Sequence, residues 1–345
     1  MVGKKVTIKD VANRAGFSIS TVSHVINETR FVEKSTKEKI QKAIEELNYR
    51  PNILARSLKG KGSKTIGVII SDLRQGFFAE VIKAIDSRAS QREFNVMLCD
   101  SEDDAEKEEL DVDILLRKGI DGLIFAPVDT GQLFEELWLS ELPCVQIDRK
   151  LQSAEADFVG IDNVRSAEQA TLRLFDNGYD CVGFIGYGPE VYTMAMRYEG
   201  YRRAAASRGK EDLSLRVVDY NKADLEQPIQ KWLQQNPAID AVLCGNDDIC
   251  YATMAAVQKT EKAIPEDFGI ISYDEIRWFS MLKCPVTAIC QPTGRIGTMA
   301  VDLLIDRIEG TLDGAPKEIL FDAELIIRKS CLKGGDTGSA NRGQG

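Results

Sequence analysis

The chain has 345 residues, of which 43% are hydrophobic and 28% are charged, a composition that fits a globular protein with more than one domain. No apolar run reaches the roughly 18–20 residues that a membrane span needs, and the opening MVGKKVTIKD has no apolar signal-peptide core. These features argue against a membrane or exported protein and predict a cytoplasmic location.

Charge is distributed unevenly along the chain. Residues 1–64 contain 14 Lys and Arg against 6 Asp and Glu, a net charge of +8, whereas the remainder contains 30 against 48, a net charge of −18. A basic N-terminal module on an acidic body is typical of a small nucleic-acid-binding unit fused to a body that nucleic acid would repel.

The eight cysteines form no CxxC pair, and most lie in apolar runs such as VMLCD and AVLCGND. Reduced, buried thiols are the expected state of such cysteines in a cytosolic protein. We therefore predict neither disulfides nor a zinc site, and no cofactor.

Three short helices are predicted at the N-terminus. The first, in TIKDVANRAG, has Thr7 as its N-cap and Gly16 as its stop. The second is SISTVSHVIN, residues 18–27, and the third, in STKEKIQKAIEELNY, begins at the cap candidate Ser35. Two short helices across a tight Gly-containing turn, completed by a third, predict a helix-turn-helix domain over residues 1–50.

The only histidine of the chain, His24, lies in the second helix. The inward side of this helix is apolar: Val22, Val25 and Ile26. The opposite side carries polar residues at the i, i+3, i+4, i+7 spacing: Ser20, Ser23, His24 and Asn27. A merely solvated face would show the same pattern, but the basic module and the helix-turn-helix spacing favour a recognition helix that meets base edges.

The stretch YRPNILARSLKGKGSK follows the third helix. Pro51 ends that helix, and NILARSL is too short to be a stable helix alone in water. GKGSK has the composition of a flexible linker and lacks the GxxxxGK[ST] spacing of a phosphate loop. Residues 51–64 are therefore predicted to form a hinge helix and linker that fold on a partner.

VTIKDVANRAGFSISTVSHVINETRFV followed by YRPNILARSLK resembles the DNA-binding segment of the LacI/GalR family. The resemblance implies a homodimer on a palindromic operator, with base reading by Ile19, Ser20 and His24 in the major groove. It also implies a hinge helix in the minor groove, where Leu58 would wedge between the central base pairs. The predicted DNA-binding residues are Thr7, Ile19, Ser20, Thr21, Ser23, His24, Asn27, Asn52, Ala55, Leu58 and Lys59.

From residue 64 onward, short apolar runs recur, each ending in a polar residue and most separated by helix-length segments. The runs are TIGVIISD, FNVMLCD, DGLIFAPVD, LPCVQID, ADFVGID, CVGFIGY, LRVVDY, AVLCGND, FGIISYD and TAICQ. This alternation predicts βαβ units and parallel strands. Ten strands exceed one ordinary sheet, so we expect two Rossmann-like subdomains, with the first crossing near Asp162–Asn163.

Ligands of open α/β sheets bind outside the carboxyl ends of the strands. The polar residues at those ends are therefore candidates: Asp72, Asp148, Asp162, Asn246, Asp274 and Gln291. Phe77, Phe78 and Trp278 suit stacking on a flat ligand or a sugar face, and Arg149 and Arg197 suit a carboxylate. Taken singly, each acid also fits a helix cap and each aromatic fits the core, but their joint recurrence favours a ligand site.

The resemblance to the LacI/GalR family extends to about residue 332, through GFFAEVIKAID, GIDGLIFAP, VGIDN, GND and IPEDFGIISYDE. It implies a periplasmic-binding-protein-like body with three crossovers. The N-terminal effector-binding subdomain then comprises residues 65–162 and 292–322, and the C-terminal one residues 163–291 and 323–332. The Gly/Ser-rich tail, 333–345, is predicted to be disordered. The predicted effector-binding residues are Asp72, Phe77, Phe78, Asp148, Arg149, Thr193, Arg197, Asn246, Asp274, Trp278 and Gln291.

The predicted protein is thus an all-α helix-turn-helix head plus an α/β body of two Rossmann-like subdomains. We interpret it as a transcriptional regulator, usually a repressor, that is controlled by a sugar or sugar acid in the cleft. A sugar-binding protein without a regulatory role is the alternative, which the helix-turn-helix segment disfavours. An enzyme is disfavoured because no histidine follows His24 and neither GxSxG nor GxGxxG occurs.

Overall fold

The computed structural model describes residues 6–27, 30–47, 49, 62–128, 142–151, 156–188, 190–217 and 224–334. The chain divides into two compact units, a head, Met1–Ser63, and a body, Lys64–Gly345. The predicted hinge helix and the tail from residue 335 onward lie outside the described residues.

The head contains three helices around a small apolar core. They are α1 (Ile8–Ala15), α2 (Ile19–Asn27) and α3 (Lys34–Glu46). Val11, Val22 and Ile40, one from each helix, are fully buried against one another. The turn between α1 and α2 passes through Gly16 at φ +77°, a left-handed conformation that glycine adopts without strain.

The start of the third helix differs from the prediction. It begins at Lys34 with Glu33 at the cap position, so the cap candidate Ser35 lies inside the first turn. The backbone carbonyl of Glu33 accepts hydrogen bonds from the amides of Thr36 at 2.9 Å and Lys37 at 3.0 Å. The backbone alone closes this turn, and a serine signal nearby does not fix the boundary.

The body is built on two six-stranded sheets. The first has the order β11-β5-β4-β3-β1-β2, with every neighbouring pair parallel. Its strands are β1 (Thr65–Ile70), β2 (Asn95–Asp100), β3 (Gly122–Phe125), β4 (Cys144–Ile147), β5 (Asp157–Ile161) and β11 (Glu318–Phe321). The second has the order β12-β10-β9-β8-β6-β7, parallel except at the β10–β12 pair. Its strands are β6 (Val182–Tyr187), β7 (Ser214–Val217), β8 (Ala241–Cys244), β9 (Gly269–Tyr273), β10 (Thr287–Cys290) and β12 (Glu324–Ile326).

Helices cover these sheets and bury most of their strands, which is why the strands are nearly continuous apolar runs. The helices of the body are α4 (Gly76–Gln91), α5 (Ala105–Lys118), α6 (Asn163–Asp176), α7 (Tyr192–Ser207), α8 (Glu226–Gln235), α9 (Asp247–Gln258) and α10 (Thr293–Ile308). Two short 3₁₀ turns, Arg277–Met281 and Lys329–Cys331, complete the described elements.

The chain passes between the two sheets three times. It leaves the first sheet after β5, returns to it after β10 through α10, and crosses again between β11 and β12. The segments that connect the sheets therefore lie next to the carboxyl ends of β5 and β10, where a ligand between the sheets would meet them.

The predicted fold class is confirmed, and all ten predicted strands occur. Two strands, β11 and β12, were not predicted. They have only four and three residues and are largely half-buried or exposed, so they lack the apolar run that identifies the others. Within the described part of the chain, no helix has the length and apolar character needed to cross a bilayer.

Candidate functional site

The outward side of α2 presents the predicted base-reading positions. Ile19 is 47% exposed and Ser20 is exposed, whereas His24 is half-buried. Ser18 caps the helix, because its hydroxyl accepts a hydrogen bond from the amide of Thr21 at 3.1 Å. Val22 and Val25 point into the core, so the exposed face of α2 is fixed by packing on its other side.

Some predicted DNA-binding residues have structural partners of their own. The hydroxyl of Thr7 donates to a carboxylate oxygen of Asp10 at 2.7 Å, and the Thr7 amide donates to the same oxygen at 2.8 Å. The hydroxyl of Thr21 lies 2.8 Å from that of Ser18. Ser23 is half-buried on α2. The remaining predicted contacts lie outside the described side chains: Asn27, Asn52, Ala55, Leu58 and Lys59.

The body contains a cavity between the carboxyl ends of the two sheets. The space between its walls, counted out to the open mouth, is about 330 Å³, and both polar and apolar side chains line it. Eight of the eleven predicted effector residues line it: Phe77, Asp148, Arg149, Thr193, Arg197, Asn246, Asp274 and Gln291. Residues that follow strands of both sheets therefore meet at one place, as expected for ligand sites at the carboxyl ends of parallel strands, which we call the strand-end rule.

Two aspartates, one at the end of a strand in each sheet, have the same unusual backbone. Asp148 follows β4 at φ +60°, and Asp274 follows β9 at φ +65°. Asp and Asn adopt this left-handed conformation more readily than most other side chains. Both residues are buried, and burial raises the pKa of each carboxyl above its usual value, an effect that Arg197 partly offsets at both.

Arg197 is held rigidly inside the cavity wall. Its Nε donates to Asn163 Oδ1 at 2.9 Å and its Nη1 donates to the carbonyl of Gly245 at 2.7 Å. The guanidinium also lies over the ring of Tyr273, 4.0 Å from the centroid. At 3% exposure, this side chain is a fixed part of the wall whose positive charge faces Asp148 and Asp274.

Arg149 is already paired with a carboxylate. Its two terminal nitrogens donate to the two oxygens of Asp103, and both side chains are 8% exposed. This bidentate geometry is the one that Arg would offer to a carboxylate of a ligand. The charge of Arg149 is thus neutralised within the protein.

The remaining polar groups of the wall are organised by helix starts and side-chain contacts. Asn246 caps α9, since its side-chain oxygen accepts the amide of Ile249 at 3.0 Å. Gln291 Nε2 donates to Asp274 at 2.7 Å. Asp247 lies beside them. Its burial, and to a smaller extent the negative charges of Asp274 and Asp248, raise its pKa to about 7.

Three predicted effector residues are not among the described residues that line the cavity. Asp72 is buried and pairs with Arg74 at 2.9 Å. Phe78 is buried in the core against Phe77, with ring centroids 5.1 Å apart. Trp278 is 40% exposed in the 3₁₀ turn Arg277–Met281 and packs edge-on against Phe279.

Sequence reasoning missed several residues around the cavity. Gln75 and Met194 line it, and Asp103 and Asn163 hold its two arginines. Asp103 lies three residues after β2 and Asn163 starts α6, so the strand-end rule, read a few residues further, points to both. No sequence signal identifies Met194, because nothing in the pattern of its helix distinguishes it. Only the packing of the helix places its side chain at the cavity.

Comparison with known proteins assigns both units. The family described as bacterial regulatory proteins of the lacI family matches residues 7–52, and periplasmic binding proteins and sugar-binding domain of the LacI family match residues 63–329. The HTH-type transcriptional repressor PurR of Aliivibrio salmonicida is 32% identical over 333 residues, which cover 95% of this chain and 99% of PurR.

Solved structures agree with this assignment. The lac repressor dimer bound to operator and the anti-inducer ONPF superposes with a TM-score of 0.85 at 26% identity, covering 95% of this chain and 100% of the repressor chain. A complex of the transcriptional regulator CelR with cellobiose superposes with a TM-score of 0.71 at 25% identity, covering 94% of this chain and 100% of CelR.

Proposed function

The chain belongs to the LacI family of bacterial transcriptional regulators, and from this premise we propose that its effector is a neutral, polyhydroxylated small molecule held between the two sheets of the body. As a member of that family it is a DNA-binding regulator, not an enzyme, and it binds operator DNA as a dimer. A sugar-binding protein without a regulatory role is not favoured, because residues 7–52 match the family's DNA-binding segment.

The charge balance of the cavity is the observation that carries this proposal. Among the described residues, the carboxylates of Asp148 and Asp274 line it and that of Asp103 adjoins it, and the cationic groups at the wall are the guanidiniums of Arg149 and Arg197. Asp247 and Asp248 begin α9 nearby and add further acidic groups, of which Asp247, with its pKa raised by burial to about 7, is only partly ionised at neutral pH. An anionic ligand would be repelled by this surplus. The sugar acid that two cleft arginines suggest in the sequence is therefore disfavoured.

Hydroxyl groups fit the unfilled hydrogen-bonding capacity of the cavity. Asp148 is only 8% exposed as a residue, and no residue that the structure describes donates a hydrogen bond to its carboxylate. These oxygens are therefore open acceptors at the cavity wall, and a ligand hydroxyl can donate to them. Phe77 adds an apolar wall for the carbon face of such a ligand.

The DNA-binding residues and subdomain limits predicted from the sequence remain part of this proposal. The outward side of α2 supports base reading by Ile19, Ser20 and His24. β11 belongs to the first sheet and β12 to the second. This supports the two predicted subdomains: an N-terminal one of residues 65–162 and 292–322, and a C-terminal one of residues 163–291 and 323–332. Since its operator DNA is in the bacterial cytoplasm, we place the protein there.

The test is thermal unfolding of the full chain against matched ligands. Each neutral sugar is paired with its uronic acid and its phosphate at equal concentration. A ligand at about 100 times its Kd adds roughly 2.7 kcal/mol to the free energy of unfolding. We expect neutral members to stabilise the wild type and Asp176→Asn, a control at the exposed end of α6, but not Asp148→Asn. Stabilisation only by acids or phosphates would refute the proposal.

A further inference from the structure

Lys64, the first residue of the body, is held unusually firmly for a residue at the end of a linker. Its backbone is left-handed at φ +51°, and its carbonyl accepts the amide of Asn95 at 2.8 Å. Its ammonium lies 3.1 Å from Glu309 Oε1 and 4.2 Å from the centroid of the Phe94 ring. The chain therefore enters the body at a fixed point.

Glu309 belongs to an ion network at the carboxyl ends of α4 and α10. Arg92 donates to Glu309 at 3.2 Å, to Asp306 at 2.9 Å and to Asp302 at 3.1 Å. Arg88 also reaches Asp302, at 2.8 Å. An isolated exposed ion pair contributes little, but a partly buried network of several charges holds its members in one arrangement. The hydrogen bond from Lys64 accordingly lowers the pKa of Glu309.

The opposite ends of the same two helices lie at the cavity. α4 begins at Gly76, between the cavity residues Gln75 and Phe77, and α10 begins two residues after Gln291. Each helix has 16 residues, which at about 1.5 Å per residue spans about 24 Å. Both helices therefore run from the cavity wall to the Lys64 anchor.

α4 and α10 are also packed backbone against backbone. A Cβ placed on Gly297 of α10 would lie 2.7 Å from the carbonyl oxygen of Val81 and 2.8 Å from Cβ of Ala84, both on α4. With no room for a side chain at this crossing, neither helix can shift at one end without carrying the other. We refer to this closely packed pair, α4 and α10, as the strut.

We propose that the cluster formed by Lys64, Glu309 and Arg92 couples the cavity to the linker, with α4 and α10 as the strut between them. Lys64 acts as a positioning residue: its contacts with Glu309 and Phe94 set where the linker leaves the body. Coupling between two sites is reciprocal, so DNA engagement must alter the cavity end of the strut as effector binding alters the linker. The inference rests on the proposed placement of the effector, but its test needs no effector.

The experiment measures hydrogen exchange of residues 287–297, from β10 into α10, in the full-length dimer. The probe is a DNA duplex that the wild-type protein selects from random sequences, added at saturation for each variant so that weaker binding does not confound the result. We compare wild type with Lys64→Gln and Glu309→Gln. Arg202→Gln, which removes an exposed charge paired with Glu199 on α7, is the matched control.

The wild type and the control should show a DNA-induced change in exchange at residues 287–297. That change should be at least threefold smaller in both single variants. It should recover by at least half in the charge-swapped pair, Lys64→Glu with Glu309→Lys. An undiminished change in both single variants, or no DNA-induced change in the wild type, would overturn the proposal. Failure of the neutral-sugar proposal would instead appear in the thermal screen and leave these results untouched.

Discussion

The guanidinium of Arg197 lies over the ring of Tyr273, 4.0 Å from its centroid. The same guanidinium is the largest charge that offsets the raised pKa of both Asp148 and Asp274. Arg197 therefore lines the cavity and is also the counter-charge of two buried carboxyls. A variant of Arg197 can lose effector binding, protein stability or both, so the two must be measured separately.

Arg197→Ala should lower the free energy of unfolding by about 3–5 kcal/mol, because removing one partner leaves buried charge uncompensated. Asp148→Asn should be neutral or stabilising, since it removes a buried carboxylate that lacks donors. The double variant should lose less than the sum of the two single changes. Urea unfolding of all four proteins measures this cycle, and strict additivity would show that Arg197 does not compensate Asp148.

Glu108 predicts a specific dependence of stability on pH. This residue of α5 is buried, and its two carboxylate oxygens accept the amide of Val128 at 3.1 and 3.3 Å. Burial raises its pKa from 4.5 to about 8. Because the folded-state pKa is the higher one, the unfolded state ionises first, and stability is lost as pH rises from about 4.5 to about 8.

Glu108→Gln should remove this loss while keeping an acceptor for Val128. Between pH 5 and pH 8 the variant should gain up to about 4 kcal/mol relative to wild type, at about 1.36 kcal/mol per pH unit. The adjacent Glu109 is exposed, so Glu109→Gln is the control and should follow the wild type. Parallel curves for wild type and Glu108→Gln in urea unfolding would contradict the assigned pKa.

An apolar surface beside the first sheet of the body predicts where the two chains of the dimer meet. Leu110 and Ile114 are exposed one turn apart on α5, which packs against the edge strand β2, where Leu98 is exposed. Such a patch suits an interface with a second copy. Leu110→Lys combined with Ile114→Lys should give monomers at micromolar concentration by sedimentation velocity. Leu116→Lys, on another face of α5, should leave the dimer intact.

The comparison of sequence with structure shows which features are local. The cap of α1, the ten long apolar strands and the aspartates at strand ends depend on a few neighbouring residues, and these were predicted. The pairing of Arg149 with Asp103 depends on how the segment after β2 folds back over the sheet, which no periodicity encodes. The sequence therefore identified eight residues of the cavity wall but not the charge balance that disfavours an acidic ligand.

Aromatic residues illustrate the same limit. Phe77 and Phe78 are adjacent, yet only Phe77 lines the cavity, because successive helix residues point in different directions and Phe78 faces the core. Trp278 follows a strand-end aspartate by four residues, and the 3₁₀ turn carries it to the surface instead. A position near the end of a strand makes a residue a candidate for the cavity wall. The direction in which its side chain leaves the following helix or turn then decides whether it lines the cavity.

His24 carries the last prediction. It lies on α2 opposite the buried Val22 and Val25, beside the exposed Ser20. Neutral histidine offers one donor and one acceptor to a base edge, whereas arginine offers a rigid fork of donors that suits guanine. His24→Arg should therefore change the preferred base at one position of each half-site. His24→Ala should cost about 1–3 kcal/mol at the cognate base pair.

The measurement is competition binding at fixed salt, with every base of the selected half-site varied in turn, because phosphate contacts make absolute affinity salt-dependent. Gln41→Ala removes an exposed, uncharged side chain of α3 and should leave both affinity and base preference unchanged. A change in overall affinity with the same base preference would make His24 a backbone contact. If His24→Ala keeps both, the histidine takes no part in DNA recognition, and base reading falls to Ile19 and Ser20.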